Sequence, residues 1–206
     1  MANDFLHKEY ELCFEQLRFY DERQTNLLKF LFTLTSAIAA AQFALYKLFS
    51  TPTKEFFMCL AFLSFVVVTG SLLIFLSMIQ NRLYFVFMAR QINAIRGHLL
   101  ANEATEFTEN QLYTRTDFSA VKPFSVHTYK IIGSAFIIAL FTGLSAYSTS
   151  QIVSSNPCWW FVLLVTIFVF IGLSLYGYFY LKNQGAKSAD EAVHRSKTND
   201  ANKMLR

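Results

Sequence analysis

Four stretches of this chain hold almost no ionisable residue. Runs 27–49, 56–80, 131–153 and 159–181 contain no Asp, Glu or His, and their only cations, Lys29 and Lys47, lie near the ends of the first. Proton-coupled carriers and pumps commonly need carboxylates, histidines or arginines inside the membrane, so that class is disfavoured. His7, His98, His127 and His194 all fall outside the runs, and none forms an HExxH zinc pair. No phosphate-cradling glycine loop and no G-x-S-x-G elbow occurs. The loop acids offer no pair with a defensible catalytic geometry. The sequence therefore predicts no enzyme, no metal and no cofactor.

Breakers are scarce as well. Seven glycines and three prolines serve 206 residues, and neither residue interrupts the stretch from Phe5 to Phe49. Three cysteines, Cys13, Cys59 and Cys158, lack metal-ligand spacing. Cys59 and Cys158 fall near one end of their runs, where either a disulfide or, more commonly, packed free thiols is expected. The first 26 residues are polar and mixed in charge, without the apolar core of a secretory signal. The first run is thus the expected insertion signal.

What is present in those runs is length and hydrophobicity. An α-helix of roughly 20 residues crosses a hydrocarbon core of about 30 Å, and each run reaches that length. Backbone polar groups in lipid must be satisfied internally, which leaves helices or closed barrels. The expected fold is all-α: an integral membrane four-helix bundle with cytoplasmic helical extensions of the first two membrane helices. Its organisation reads as an N-terminal amphipathic helix (1–26), a membrane hairpin (27–80), a cytoplasmic helix and loop (81–130), a second hairpin (131–181) and a mobile tail (182–206). The net charge is +4 at pH 7, and the cations are placed unevenly. Lys8, Arg18, Arg23 and Lys29 lie on the arm, six further cations lie between Arg82 and Lys130, and six lie from Lys182 onward. The first turn has only Lys47 and Lys54 nearby, and the third turn has none. The positive-inside rule puts both termini and the central loop in the cytoplasm of a bacterial inner membrane protein. Trp159 and Trp160 are then expected at the outer interface, and Tyr176, Tyr178 and Tyr180 at the inner one.

Two extensions beyond the runs are legible. Leu6, Tyr10, Cys13, Leu17 and Tyr20 recur at spacings of four and three, which makes one helical stripe in an acid-rich arm. From Asn81 to Leu100, Tyr84, Met88, Ile92, Ile95 and Leu99 share one face, while Arg82, Arg90, Asn93 and Arg96 share the opposite one. No acid occurs between Glu55 and Glu103, so this second extension is purely basic. The two are expected to pair, with the arm's acids facing Arg82, Arg90 or Arg96. The competing reading gives these arginines anionic headgroups, which suits Arg82 best; for Arg90 and Arg96 protein partners are expected. Phe107, Tyr113, Phe118 and Phe124 are expected to dock the polar stretch 101–129 onto the pair.

Inside the runs, small and hydroxyl residues carry the remaining signal. Thr33, Ala37, Ala40 and Ala44 share a face of the first. Ala135, Ala139 and Gly143 stand four apart in the third, a pattern that lets helices approach closely, and Gly172 and Gly177 lie in the fourth. Contacts within one bundle are the first reading and contacts between subunits the second. Ser134, Thr142, Ser145, Ser148 and Thr149 also share a face. They either bond to neighbouring backbone or line a water-contacting path, which would require several chains.

The charged first helix, the paired apolar runs and the basic continuation (Asn81-Arg82-Leu83-Tyr84-Phe85-Val86, then Ala89-Arg90-Gln91-Ile92-Asn93-Ala94-Ile95-Arg96) resemble small bacterial membrane proteins of conflict systems, the SLATT-like effectors. The resemblance covers about the first 100 residues and lies in the layout; four runs instead of two is a departure. It implies a membrane-perturbing effector that assembles on a signal, in antiphage defence. Two functions follow as expectations: a homo-oligomeric effector or channel-like component, or a non-conducting anchor that recruits a cytoplasmic protein. Membrane lipids are the expected partners. Nucleic acid is not, because the basic face has no recognised binding fold and acids nearby offset it.

Overall fold

The computed structural model describes residues 2–49, 51–103, 119–122, 124–154 and 158–204, with side chains described within 4–49, 51–100, 119–122, 124–154 and 158–186. Four helices follow one another: α1 (Ala2–Leu48), α2 (Lys54–Glu103), α3 (Val126–Val153) and α4 (Trp159–Met204). Each is long and apolar enough to cross a membrane. Among the described residues there is no strand. Among the described residues the predicted all-α, four-helix architecture is what is found.

The helices begin and end where local chemistry dictates. Thr53 opens α2, its Oγ1 accepting from the Phe56 amide at 3.4 Å. Ser125 caps α3 in an extended conformation and its side chain accepts from Thr128 N. Phe124, just before it, has a φ of 61° and is 86% exposed, too exposed for the docking role expected of it among the described residues. Phe107, Tyr113 and Phe118 lie outside the described residues. No described breaker stops α4 at the end of its apolar run, and it continues to Met204. The expected tail from residue 182 therefore starts inside a helix, with Leu181 and Gly185 buried.

Two compact units are built from these helices. The apolar unit comprises Thr25–Ile79 and Pro123–Tyr178. Its core holds Leu31, Val67, Phe75, Met78, Ile79, Ala135, Ile138 and Ala139, each at most 2% exposed. The four helices here have very different roles: α3 has the most buried apolar segment and α4 the least. The α4 surface of Trp160, Leu164, Phe168, Ile171 and Leu175 is exposed, as suits a lipid-facing helix. Ala135, Ala139 and Gly143 are all buried. At Gly143 the backbone of α3 meets the Thr166 side chain of α4 so closely that a Cβ would overlap Oγ1. The reading of these residues as packing within one bundle agrees with their placement. Gly177 is likewise packed, against Ile79, Phe75 and Ile131, whereas nothing lies near Gly172. Within this unit Gln42 of α1 donates from Nε2 to Ser64 Oγ of α2 at 2.9 Å.

The second unit comprises Met1–Gln24, Gln80–Lys122 and Phe179–Arg206. It contains the two extensions read from the sequence and a third that was not, the continuation of α4.

Candidate functional site: a polar hub in the helical unit

The arm packs through the stripe that its spacing predicts. Cys13 is buried, Leu6, Tyr10, Leu17 and Tyr20 are half-buried, and Gln24 extends the stripe at 1% exposure. Cys13 donates to Glu9 Oε1 at 3.7 Å. Burial, with Glu9 beside it, pushes the Cys13 thiol above its ordinary pKa. Nucleophilic thiolate is correspondingly depleted at neutral pH. In detergent, Cys13 is expected to resist maleimide while the exposed Cys158 reacts, and to react only on unfolding or as pH rises above the usual thiol range. Mass-spectrometric mapping of the alkylated peptides checks this. All three cysteines are free, and Cys59 and Cys158 are exposed, not packed.

The basic face of α2 is the centre of this unit. Arg82 is 6% exposed and its Nε donates to Ala120 O at 3.3 Å, with the guanidinium 5.2 Å from the Phe85 ring centroid. Arg90 Nη1 donates to Gly185 O at 2.9 Å. Arg96 Nε donates to Tyr10 Oη at 3.1 Å, and its cation lies over the rings of Tyr10 and Phe14 at 5.6 and 5.5 Å. Arg96 Nη1 also reaches Asn93 Oδ1 at 3.5 Å, and Asn93 is 6% exposed. Three arginines on one helix thus reach three different elements: the 119–122 segment, α4 and α1. Gly185 and Ala120 close the far side, since a Cβ on Gly185 would lie 2.8 Å from that of Ala120.

Two expectations change here. What the arm offers Arg96 is an aromatic pair, Tyr10 and Phe14, where acids were anticipated. Arg82, the residue best suited to headgroups from its position, is instead buried among protein atoms. It lies outside the apolar run 56–80, and burial lowers its pKa to about 10, so the guanidinium stays charged at neutral pH. The face opposite the arginines is also not the buried one alone: Ile92 and Ile95 are buried, but Tyr84 is 43% exposed and stacks on Tyr20 with centroids 5.7 Å apart. The reason is geometric. With neighbours on more than one side, α2 does not leave its arginines to water, and its exposed polar residues here include Gln91 and His98.

Next to this hub sits an amide pair that sequence reading passed over. Asn81 Nδ2 donates to Tyr20 O at 2.7 Å and to Gln24 Oε1 at 2.9 Å. Gln24 Nε2 and Asn81 Oδ1, both buried, have no partner. The only advance signal was two amides at the polar borders of the first two runs.

In the apolar unit, the hydroxyl face of α3 turns back on its own helix. Ser134 bonds to Ile131 O, Thr142 to Ile138 O, Ser148 to Leu144 O and Thr149 to Ser145 O, at 2.7–2.8 Å. Ser134 and Ser148 are fully buried. Thr142, Ser145 and Thr149 instead border an open cleft of about 570 Å³ with Phe65, Phe161 and Val165. The face is therefore divided, and no single water path uses all five hydroxyls within one chain. Among the described residues no cluster of His, Cys, Asp or Glu could hold a metal ion.

No family model, no curated protein and no solved structure matches this chain. Its function has to be argued from the two units themselves.

Proposed function

We propose that this chain is a multi-pass, homo-oligomeric membrane effector, in which a signal received by the helical unit moves the apolar helices. The observation that carries the proposal is helix continuity. α1, α2 and α4 each contribute to both units without a break in helical structure. An anchor that only tethers a binding module can do so through a flexible linker, whereas uninterrupted helices tied together by buried arginine contacts suit the transmission of displacement. The likeness in layout to SLATT-like effectors favours the same reading and suggests a bacterial inner membrane, both termini cytoplasmic, in antiphage defence. Any conducting path would lie between copies, because the hydroxyls of α3 are divided within one. The test is induced expression of the full chain in bacteria carrying a potential-sensitive dye, with purified protein assayed for ion flux in liposomes. Depolarisation and flux are expected. Both should be weakened by a Gly-Gly-Ser-Gly insertion after Gln24, which interrupts α1 between the units. An unchanged membrane potential with no flux from reconstituted oligomers rejects the effector.

The second reading, a non-conducting scaffold, is favoured by the bonding of Ser134 and Ser148 to their own backbone. A soluble protein retained by the helical unit, without depolarisation, selects it. Arg90 and Arg96 are poor candidates for contacting that partner, since both make internal contacts.

A further inference from the structure

The helical unit leaves an apolar ridge uncovered where water is the expected solvent. Phe5, Leu12 and Phe19 of α1 are 66%, 46% and 57% exposed. They stand seven residues apart, so on a helix of 3.6 residues per turn they form a nearly axial line. That line is separate from the buried stripe of Leu6, Tyr10, Cys13, Leu17 and Tyr20. In lipid such exposure needs no explanation. On a polar, acid-rich arm it marks a surface that another protein covers.

We infer that this ridge pairs with the same ridge of a second copy, the two α1 helices running parallel. The argument is charge complementarity. Positions three residues after each ridge residue flank it on one side: Lys8, Glu15 and Glu22. Positions four residues after flank it on the other: Glu9, Gln16 and Arg23. A parallel twofold axis sets one flank against the other flank of the partner at nearly equal height. Lys8 then meets a glutamate at position 9, Glu15 meets a glutamine at position 16, and Glu22 meets an arginine at position 23. Each pair occurs twice, and no like charges face each other across the ridge. Lys8, Glu15, Glu22 and Arg23 are exposed. Two copies in one membrane must also present their arms in the same direction, which is the parallel arrangement.

The apolar unit supplies an independent observation on the same helix. Thr33, Ala37, Ala40 and Ala44, the small-residue face of its first run, are all exposed. Small residues four apart allow membrane helices to approach closely, and these four stay exposed, Ala44 at the edge of a cleft shared with Cys59, Phe62 and Leu63 of α2. The inference rests on the homo-oligomeric reading above and names its interface.

The test uses the full chain, with its native cysteines changed to serine, in native membranes. Phe5→Cys, Leu12→Cys and Phe19→Cys are expected to form disulfide-linked dimers under mild oxidation; Arg18→Cys, about a third of a turn away, is not. Glu22→Lys should lower the dimer fraction of Phe19→Cys severalfold, and adding Arg23→Glu should restore it. Leu12→Glu with Phe19→Glu should raise the dissociation constant in nanodisc-mixing fluorescence transfer by about tenfold or more, with an unchanged helical circular dichroism spectrum. Absence of ridge crosslinks, equal crosslinking at Arg18→Cys, or failure of the charge reversal to rescue overturns the interface. Crosslinked dimers without depolarisation would uphold the interface while rejecting the effector; depolarisation without ridge crosslinks would do the reverse.

Discussion

Gly143→Ala is expected to destabilise the apolar unit by about 1–3 kcal/mol, the range for forcing a methyl group into a packed site. The physical cause is local. A Cβ at position 143 falls on Thr166 Oγ1, with Thr166 Cβ 3.4 Å away. Thr166 cannot yield freely, because its hydroxyl is bonded to Val162 O at 2.8 Å and its β-branched side chain has few rotamers in a helix. α3 and α4 must therefore separate or one must slide. Thr166→Ala in the same chain removes the overlapping oxygen and should recover most of the loss. Gly172→Ala is the control. No atom lies within 4 Å of its added Cβ, so the helix propensity gained, about 1 kcal/mol, should make it neutral or mildly stabilising. Thermal unfolding in one detergent, followed by size-exclusion recovery, ranks the variants. A Gly143→Ala protein as stable as the parent would show that the close approach of α3 and α4 does not hold this unit together.

The second large effect is expected at Asn81. Asn81→Val leaves the buried amide of Gln24 without any partner, since its Oε1 loses the 2.9 Å bond and its Nε2 already has none. An abandoned buried polar group costs about 1–3 kcal/mol, so the single variant should be clearly destabilised. Gln24→Met should be milder, because Asn81 Nδ2 keeps Tyr20 O at 2.7 Å. The double variant Gln24→Met with Asn81→Val removes both amides together and should regain the parent's stability or exceed it, as replacement of both members of a buried polar pair often does. A double-mutant cycle on the unfolding midpoint reads the coupling directly. Additive losses would mean that the two amides do not act as a pair.

The arm illustrates what a single sequence can display. Leu6, Tyr10, Cys13, Leu17 and Tyr20 were visible as a stripe because a solvated helix must choose one face to bury, and that choice leaves a period in the residues. The basic continuation of α2 was equally visible as a pattern, and protein partners for Arg90 and Arg96 were expected, but which groups those partners would be was not legible. Its arginines looked available for acids or headgroups because nothing in the local sequence shows α4 and the 119–122 segment approaching from other sides. Tyr10 and Phe14 could not be matched to Arg96 beforehand, since a guanidinium accepts aromatic faces, carbonyls and carboxylates alike. Gly143 was legible as a small residue, but only its neighbour Thr166 shows which helix it admits.

Hydrophobic length alone determined that this chain forms four helices able to cross a membrane. A run of some 20 apolar residues carries that information without reference to any partner. Tertiary structure decided the rest: that the hydroxyls of α3 divide between core and cleft, that three arginines join three separate elements, and that Phe5, Leu12 and Phe19 stay uncovered. Each of those outcomes depends on which distant segment lies alongside a given helix face. Periodicity along one helix records that a face is buried, and holds no record of what buries it.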